Sequence, residues 1–111
     1  MIKLVVRQAD ECTKAFILEG HAGYDDHGFD IVCSGVSALA ISAANGLSEF
    51  TNAELNVEQN EGYLSCEILN LDALDEINLS CVSGIINTMV LGIESIASQY
   101  PETITIEYTK I

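Results

Sequence analysis

The sequence predicts a single α+β domain over residues 1–111, of order ββαββαβ, with a mixed β-sheet and two helices packed on it. Three observations carry this reading. Two pairs of apolar, loosely alternating segments are each separated by a few turn-forming residues. Two longer stretches repeat apolar residues at helical spacing. A single proline, with no low-complexity tract and no internal repeat, leaves no sign of a linker or a second domain.

Residues 2–7 are apolar and β-branched and read as a strand, followed by the turn Gln8-Ala9-Asp10-Glu11. Residues 13–19 form the second arm of that hairpin, with Ala15, Ile17 and Glu19 on one face and Phe16 and Leu18 on the other. Residues 20–30 hold Gly20, Gly23, Gly28, Asp25, Asp26 and Asp30, a composition that predicts a mobile loop. Val36, Leu39, Ala40, Ala43, Leu47 and Phe50 then recur as one face of an amphipathic helix over 34–50. Gly46 weakens its last turns by roughly 1 kcal/mol relative to alanine. Residues 55–59 and 63–69 form a second hairpin around Asn60-Glu61-Gly62. Asp72 is placed to cap the next helix, with Asp75 and Glu76 favourable in its first turn. That helix ends at about Gln99, ahead of Tyr100-Pro101. Its apolar residues, from Cys81 through Ile86 and Leu91 to Ala97, wrap most of its circumference. Such a helix is buried on more than one side, against the sheet and against the other helix or another subunit. Residues 103–108 are a final strand of period two.

Charge narrows the partners. Four basic and 17 acidic residues leave a net charge of −13, which repels nucleic-acid backbones and anionic membrane surfaces and suits a basic protein or peptide. Hydrophobic residues make up 49% of the chain, enough for a core despite that charge. No secretory signal is visible, and no uninterrupted run of about 18 apolar residues predicts a membrane span. The expected location is cytoplasmic, where Cys12, Cys33, Cys66 and Cys81 stay reduced. No CxxC pair points to zinc or to a thioredoxin-like centre.

The chemistry gathers in one segment. His21 ends a strand, Cys33 opens a helix, and a glycine-rich loop joins them. The positive end of a helix macrodipole favours a sulfur anion over a thiol. An imidazole within reach adds to this and can carry a proton to a leaving amine. The same helix-start amides offer a place for an oxyanion, and the loop offers a lid. Asp30 either orients His21 or caps the helix, the cap being favoured; Ser34 and Ser37 lie where they could donate to the sulfur or to a substrate carbonyl. His27, beside Asp25 and Asp26, reads as a solvated loop residue, and Cys12, Cys66 and Cys81 as packing. His21, Asp30 and Cys33 lack the spacing of a zinc site, and no cofactor is expected. Gly20, Gly23 and Gly28 lack the lysine of a phosphate loop.

Gly20-His21-Ala22-Gly23, a short loop, and then Gly28-x-Asp30-Ile31-Val32-Cys33-x-Gly35-x-Ser37-Ala38 resembles the ribosomal-processing cysteine protease family Prp. The likeness extends over essentially the whole chain; Ser34 stands where alanine is frequent in the family. The resemblance implies a homodimeric endopeptidase with Cys33 as nucleophile and His21 as general base and acid. Gly20, Gly23, Asp30, Ser34 and Ser37 are then supporting or substrate-site positions. It further implies a partner: a ribosomal protein precursor, large-subunit ribosomal protein twenty-seven, whose N-terminal extension is removed during ribosome maturation. Two other classes compete with it. One is a non-catalytic, acidic ribosome-assembly module that binds a basic ribosomal protein. The other is a thiol redox sensor using Cys33, which lacks a resolving cysteine nearby in sequence.

Overall fold

Period-two burial along the strands sorts their side chains onto one covered and one open face of the sheet. The computed structural model describes residues 1–23 and 30–111. Strands β1 (Ile2–Ala9) and β2 (Cys12–Glu19) form an antiparallel hairpin. Only Asp10 and Glu11 close it, and Asp10 takes φ 57°, a conformation that aspartate tolerates in tight turns. The register slips by one residue between Arg7 and Gln8, which leaves Lys14 as a bulge; its Nζ donates to the Ile68 carbonyl at 2.8 Å.

Helix α1 (Ile31–Phe50) follows, then the hairpin of β3 (Leu55–Asn60) and β4 (Tyr63–Ile68), a 3-10 turn at Leu71–Ala73, helix α2 (Glu76–Gln99) and β5 (Ile104–Lys110). The order is the expected ββαββαβ. The sheet runs β3-β4-β2-β1-β5, antiparallel except for the parallel pair β1 and β5, so it is mixed.

Cross-strand register stacks the covered face. Leu4 lies opposite Leu18, Val6 opposite Phe16, Phe16 opposite Cys66 and Leu18 opposite Leu64. Both helices contribute a stripe to the same core: Val32, Val36, Ala40, Ala43 and Leu47 from α1, and Val82, Ile86, Met89, Val90 and Ile93 from α2. Glycines let the helices approach one another. A Cβ on Gly92 would stand 2.8 Å from Leu39 Cδ1, and one on Gly35 would stand 3.2 Å from Ile96 Cδ1. The wide apolar face of α2 is thus shared between the core and α1, while Leu91 is left 64% exposed.

Two expectations need correction. α1 starts at Ile31 rather than at 34, because Asp30 caps it. The cap of α2 is Asp75 and not Asp72, which lies in the 3-10 turn. Leu71 and Leu74 are buried there and keep the chain out of the α-helix until Asp75 accepts the N–H of Asn78 at 2.8 Å. That bond, with a second from the Asn78 side chain, keeps the Asp75 carboxyl below the usual carboxylate range. By length and composition alone both helices could cross a membrane, yet neither holds an uninterrupted apolar run of about 18 residues. Serine, asparagine and glycine interrupt the apolar runs without adding charge, and the buried stripe of each helix faces the sheet.

Gly84 differs from the other α2 glycine in having open space around its Cα. Gly84→Ala is therefore expected to stabilise the protein by about 0.8 kcal/mol, the helix-propensity difference with no packing cost. A urea titration with unchanged slope and a raised midpoint checks this.

Candidate active site

Gly20 turns the chain out of β2 with φ +98°. A Cβ there would collide with the Met1 carbonyl oxygen, so glycine is required both by backbone angle and by space. The Gly20 N–H donates to the Gly62 carbonyl at 2.9 Å, which straps this exit to the turn between β3 and β4. His21 follows, exposed, with its Nε2 edge against Gly62. Ala22 is buried, and its backbone N–H donates to Cys33 Sγ at 3.2 Å.

The other half of the site is the start of α1. Asp30 is 5% exposed, and its Oδ1 accepts the N–H of Val32 at 2.9 Å and of Cys33 at 3.1 Å. Its carbonyl accepts the Ser34 N–H at 3.1 Å. The cap-and-loop reading of Asp30 therefore describes its geometry. It also corrects the expected oxyanion site: the amides of Val32, Cys33 and Ser34 are engaged by Asp30 itself. The Ala22 N–H, from the strand side, is the amide directed at the sulfur.

Cys33, half-buried, sits in a cleft of about 360 Å³. All seven residues singled out in the sequence line it: Gly20, His21, Gly23, Asp30, Cys33, Ser34 and Ser37. Ile2, Leu18, Ile41 and Leu64 give it an apolar floor. The sequence reading missed a third wall, formed by Gln59, Asn60, Gly62 and Tyr63 of the second hairpin. Asn60-Glu61-Gly62 was visible only as turn chemistry; the pairing of Glu19 with Tyr63 that brings it to the site is non-local. The expected lid, with His27, falls on 24–29 and lies outside the described residues.

The remaining cysteines are placed differently. Cys66 is 1% exposed in the core, and burial pushes its thiol up to about 11. Cys81 Sγ contacts the Phe50 carbonyl at 3.8 Å, and Cys12 is half-buried at the first hairpin. Among the described residues no group of three or more histidines, cysteines and carboxylates gathers as a metal site.

A two-layer α+β fold that presents a thiol in the first turn of a helix, beside a peptide-sized cleft, has close counterparts among known proteins. Residues 1–105 match the family described as cysteine protease Prp. The chain is 30% identical over 94 residues to the ribosomal processing cysteine protease Prp of Staphylococcus aureus, covering 83% of each. It is 28% identical over 109 residues to the Bacillus subtilis protein of the same name, covering 96% of each. Its fold matches a crystal structure of the essential S. aureus ribosomal processing protease Prp in complex with a covalently linked product peptide. That match has a TM-score of 0.82 at 25% identity, over 98% of this chain and 100% of that one. A Streptococcus mutans protein, SMU.848, matches at a TM-score of 0.76 and 25% identity over 100% and 96% of the two chains.

Fold and family together define a cysteine protease. The chain belongs to the cysteine protease Prp family.

Proposed function

We propose that this protein is a ribosomal-processing endopeptidase that removes the N-terminal extension of large-subunit ribosomal protein twenty-seven, with Cys33 as nucleophile and His21 as general base and acid. The observation that carries the reading is the Ala22 N–H on Cys33 Sγ at 3.2 Å, inside a cleft that His21 also lines. An amide donor on the sulfur favours its anion. The S. aureus relative, solved with a substrate peptide and with a covalently linked product peptide, supports a peptide substrate.

The chemistry then runs in two halves. The Cys33 thiolate attacks the scissile carbonyl carbon, a C–S bond forms, and the carbonyl oxygen takes the negative charge. The C–N bond breaks as the His21 imidazolium gives its proton to the leaving amine, which leaves a thioester on Cys33. Neutral His21 next takes a proton from water as that water attacks the thioester. The C–S bond breaks, the acid product departs, and sulfur and imidazole regain the starting charges. Charge leaves the sulfur as it reaches the carbonyl oxygen, so a donor beside the sulfur, such as Ala22 N–H, is placed to serve both.

The net charge of −13 suits a basic ribosomal precursor and makes encounter salt-sensitive. The same reading makes the protein cytoplasmic and homodimeric; Phe50 at 72% exposure, Ile77 at 80% and Leu91 at 64% supply apolar surface for a partner subunit. That charge equally favours the second reading, a non-catalytic assembly module. Incubation with the host's unprocessed ribosomal protein, followed by intact-mass measurement, decides between them. Loss of a discrete N-terminal peptide is expected; an intact precursor held in a stable complex would leave only the module.

A further inference from the structure

We infer that Gly62, in the turn between β3 and β4, is a positioning residue that seats the His21 imidazole. The inference rests on the reading of His21 as acid and base, and it adds a residue from a distant hairpin to that machinery. Three observations meet at Gly62. Its φ is +69°, where L side chains are strained. A Cβ built on it would stand 2.9 Å from His21 Nε2 and 3.3 Å from Cε1, a contact that forces a shift. Its carbonyl accepts the Gly20 N–H at 2.9 Å, which anchors the residue just before His21.

Taken together, the backbone of Gly62 sets where His21 leaves the sheet, and its missing side chain leaves the room its ring occupies. His21 is exposed, so a side chain at 62 can push the imidazole off its seat toward solvent, at a cost in stability that disappears when the ring is removed. The fold then survives while the acid–base group leaves its seat. A displacement on the order of 1 Å is enough to cost about 10²-fold in rate. Gly62 also lines the cleft that holds Cys33. The turn residue therefore joins the two hairpins into one catalytic frame.

The test is Gly62→Asn, because asparagine tolerates the left-handed backbone and isolates the steric conflict. Gly62→Ala, His21→Ala and the combination of Gly62→Asn with His21→Ala are made beside it. Turnover of an extension peptide and thermal unfolding are read for each. Gly62→Asn is expected to lower kcat roughly 10–100-fold with KM within about threefold. The alkaline and acidic limbs of its kcat/KM profile should move, because the group that titrates has changed its surroundings. Its loss in Tm should shrink by half or more once His21 is alanine, since the colliding ring is gone. If Gly62→Asn does not fold at all, recovery of folding in the His21→Ala background supports the inference, and failure in both backgrounds overturns it. Wild-type kcat in Gly62→Asn, or an equal Tm loss in both backgrounds, also overturns it. Wild-type turnover in His21→Ala alone overturns the acid–base reading, and with it the positioning role, even if the Tm coupling shows that the contact exists.

Discussion

Cys33→Ala is expected to lower turnover of an extension peptide by roughly 10³-fold or more, to the background rate. His21→Ala is expected to match it. The two act as a unit: sulfur without the imidazole has no proton source for the leaving amine, and imidazole without the sulfur has nothing to activate. The double variant should therefore be no worse than either single one, a non-additivity that independent contributions would not show. Progress curves with a quenched peptide give the turnover of each variant. KM for Cys33→Ala is not measurable at background rate, so peptide affinity is followed by fluorescence anisotropy and should stay within a few-fold. Retained cleavage in Cys33→Ala would remove Cys33 as the nucleophile, and the proposed mechanism with it.

Cys66→Ala supplies the matched control. That thiol is enclosed by the core, and at about pH 8 only about one part in a thousand of a group titrating near 11 is ionised. Iodoacetamide should label Cys33 first in the native protein and leave Cys66 unmodified until unfolding. Its removal is expected to cost on the order of 1 kcal/mol in stability and nothing in turnover.

What the sequence made legible divides along contact distance. The two hairpins and both helix stripes were readable because strand alternation and helical spacing are local patterns. The segment 20–37 was readable for a related reason: Gly20, His21, Asp30, Cys33 and Ser37 lie close in sequence, so strand end, helix start and cleft meet with few chain degrees of freedom. Helix starts were placed less well. Apolar periodicity marks where a helix is buried, and α1 begins three residues earlier, at the residue its cap dictates. At the start of α2, Asp72 and Asp75 lie three residues apart and carry the same capping side chain, and the buried Leu71 and Leu74 decided in favour of Asp75. The β3–β4 wall of the cleft was illegible because it depends on β4 pairing with β2 across more than forty residues. The expected oxyanion site failed on a competition visible in hindsight from Asp30: a carboxylate at the cap fills the same amides an oxyanion would need.

Asp30→Ala is the second large effect. Its Oδ1 holds two N–H groups, those of Val32 and Cys33, and the residue is 95% buried by the complement of its 5% exposure. Loss of a cap costs about 1–2 kcal/mol. The Val32 bond is buried, which places the cost toward the upper end, while the partly buried Cys33 N–H regains water. A domain of this size should lose roughly 4–8 °C in Tm for each kcal/mol. Turnover should fall further than stability alone predicts, roughly 10–100-fold, because the third residue of α1 carries the sulfur and a frayed first turn moves it relative to the Ala22 N–H. Asp30→Asn separates cap from charge. Asparagine caps about as well as aspartate, so if capping is the role, both Tm and kcat return to within a few-fold or a few degrees of the wild-type values. If Asn restores Tm while kcat stays low, the carboxylate charge has a separate duty toward His21, the other role open to it in the sequence. Wild-type Tm and kcat in Asp30→Ala would remove Asp30 from the site altogether.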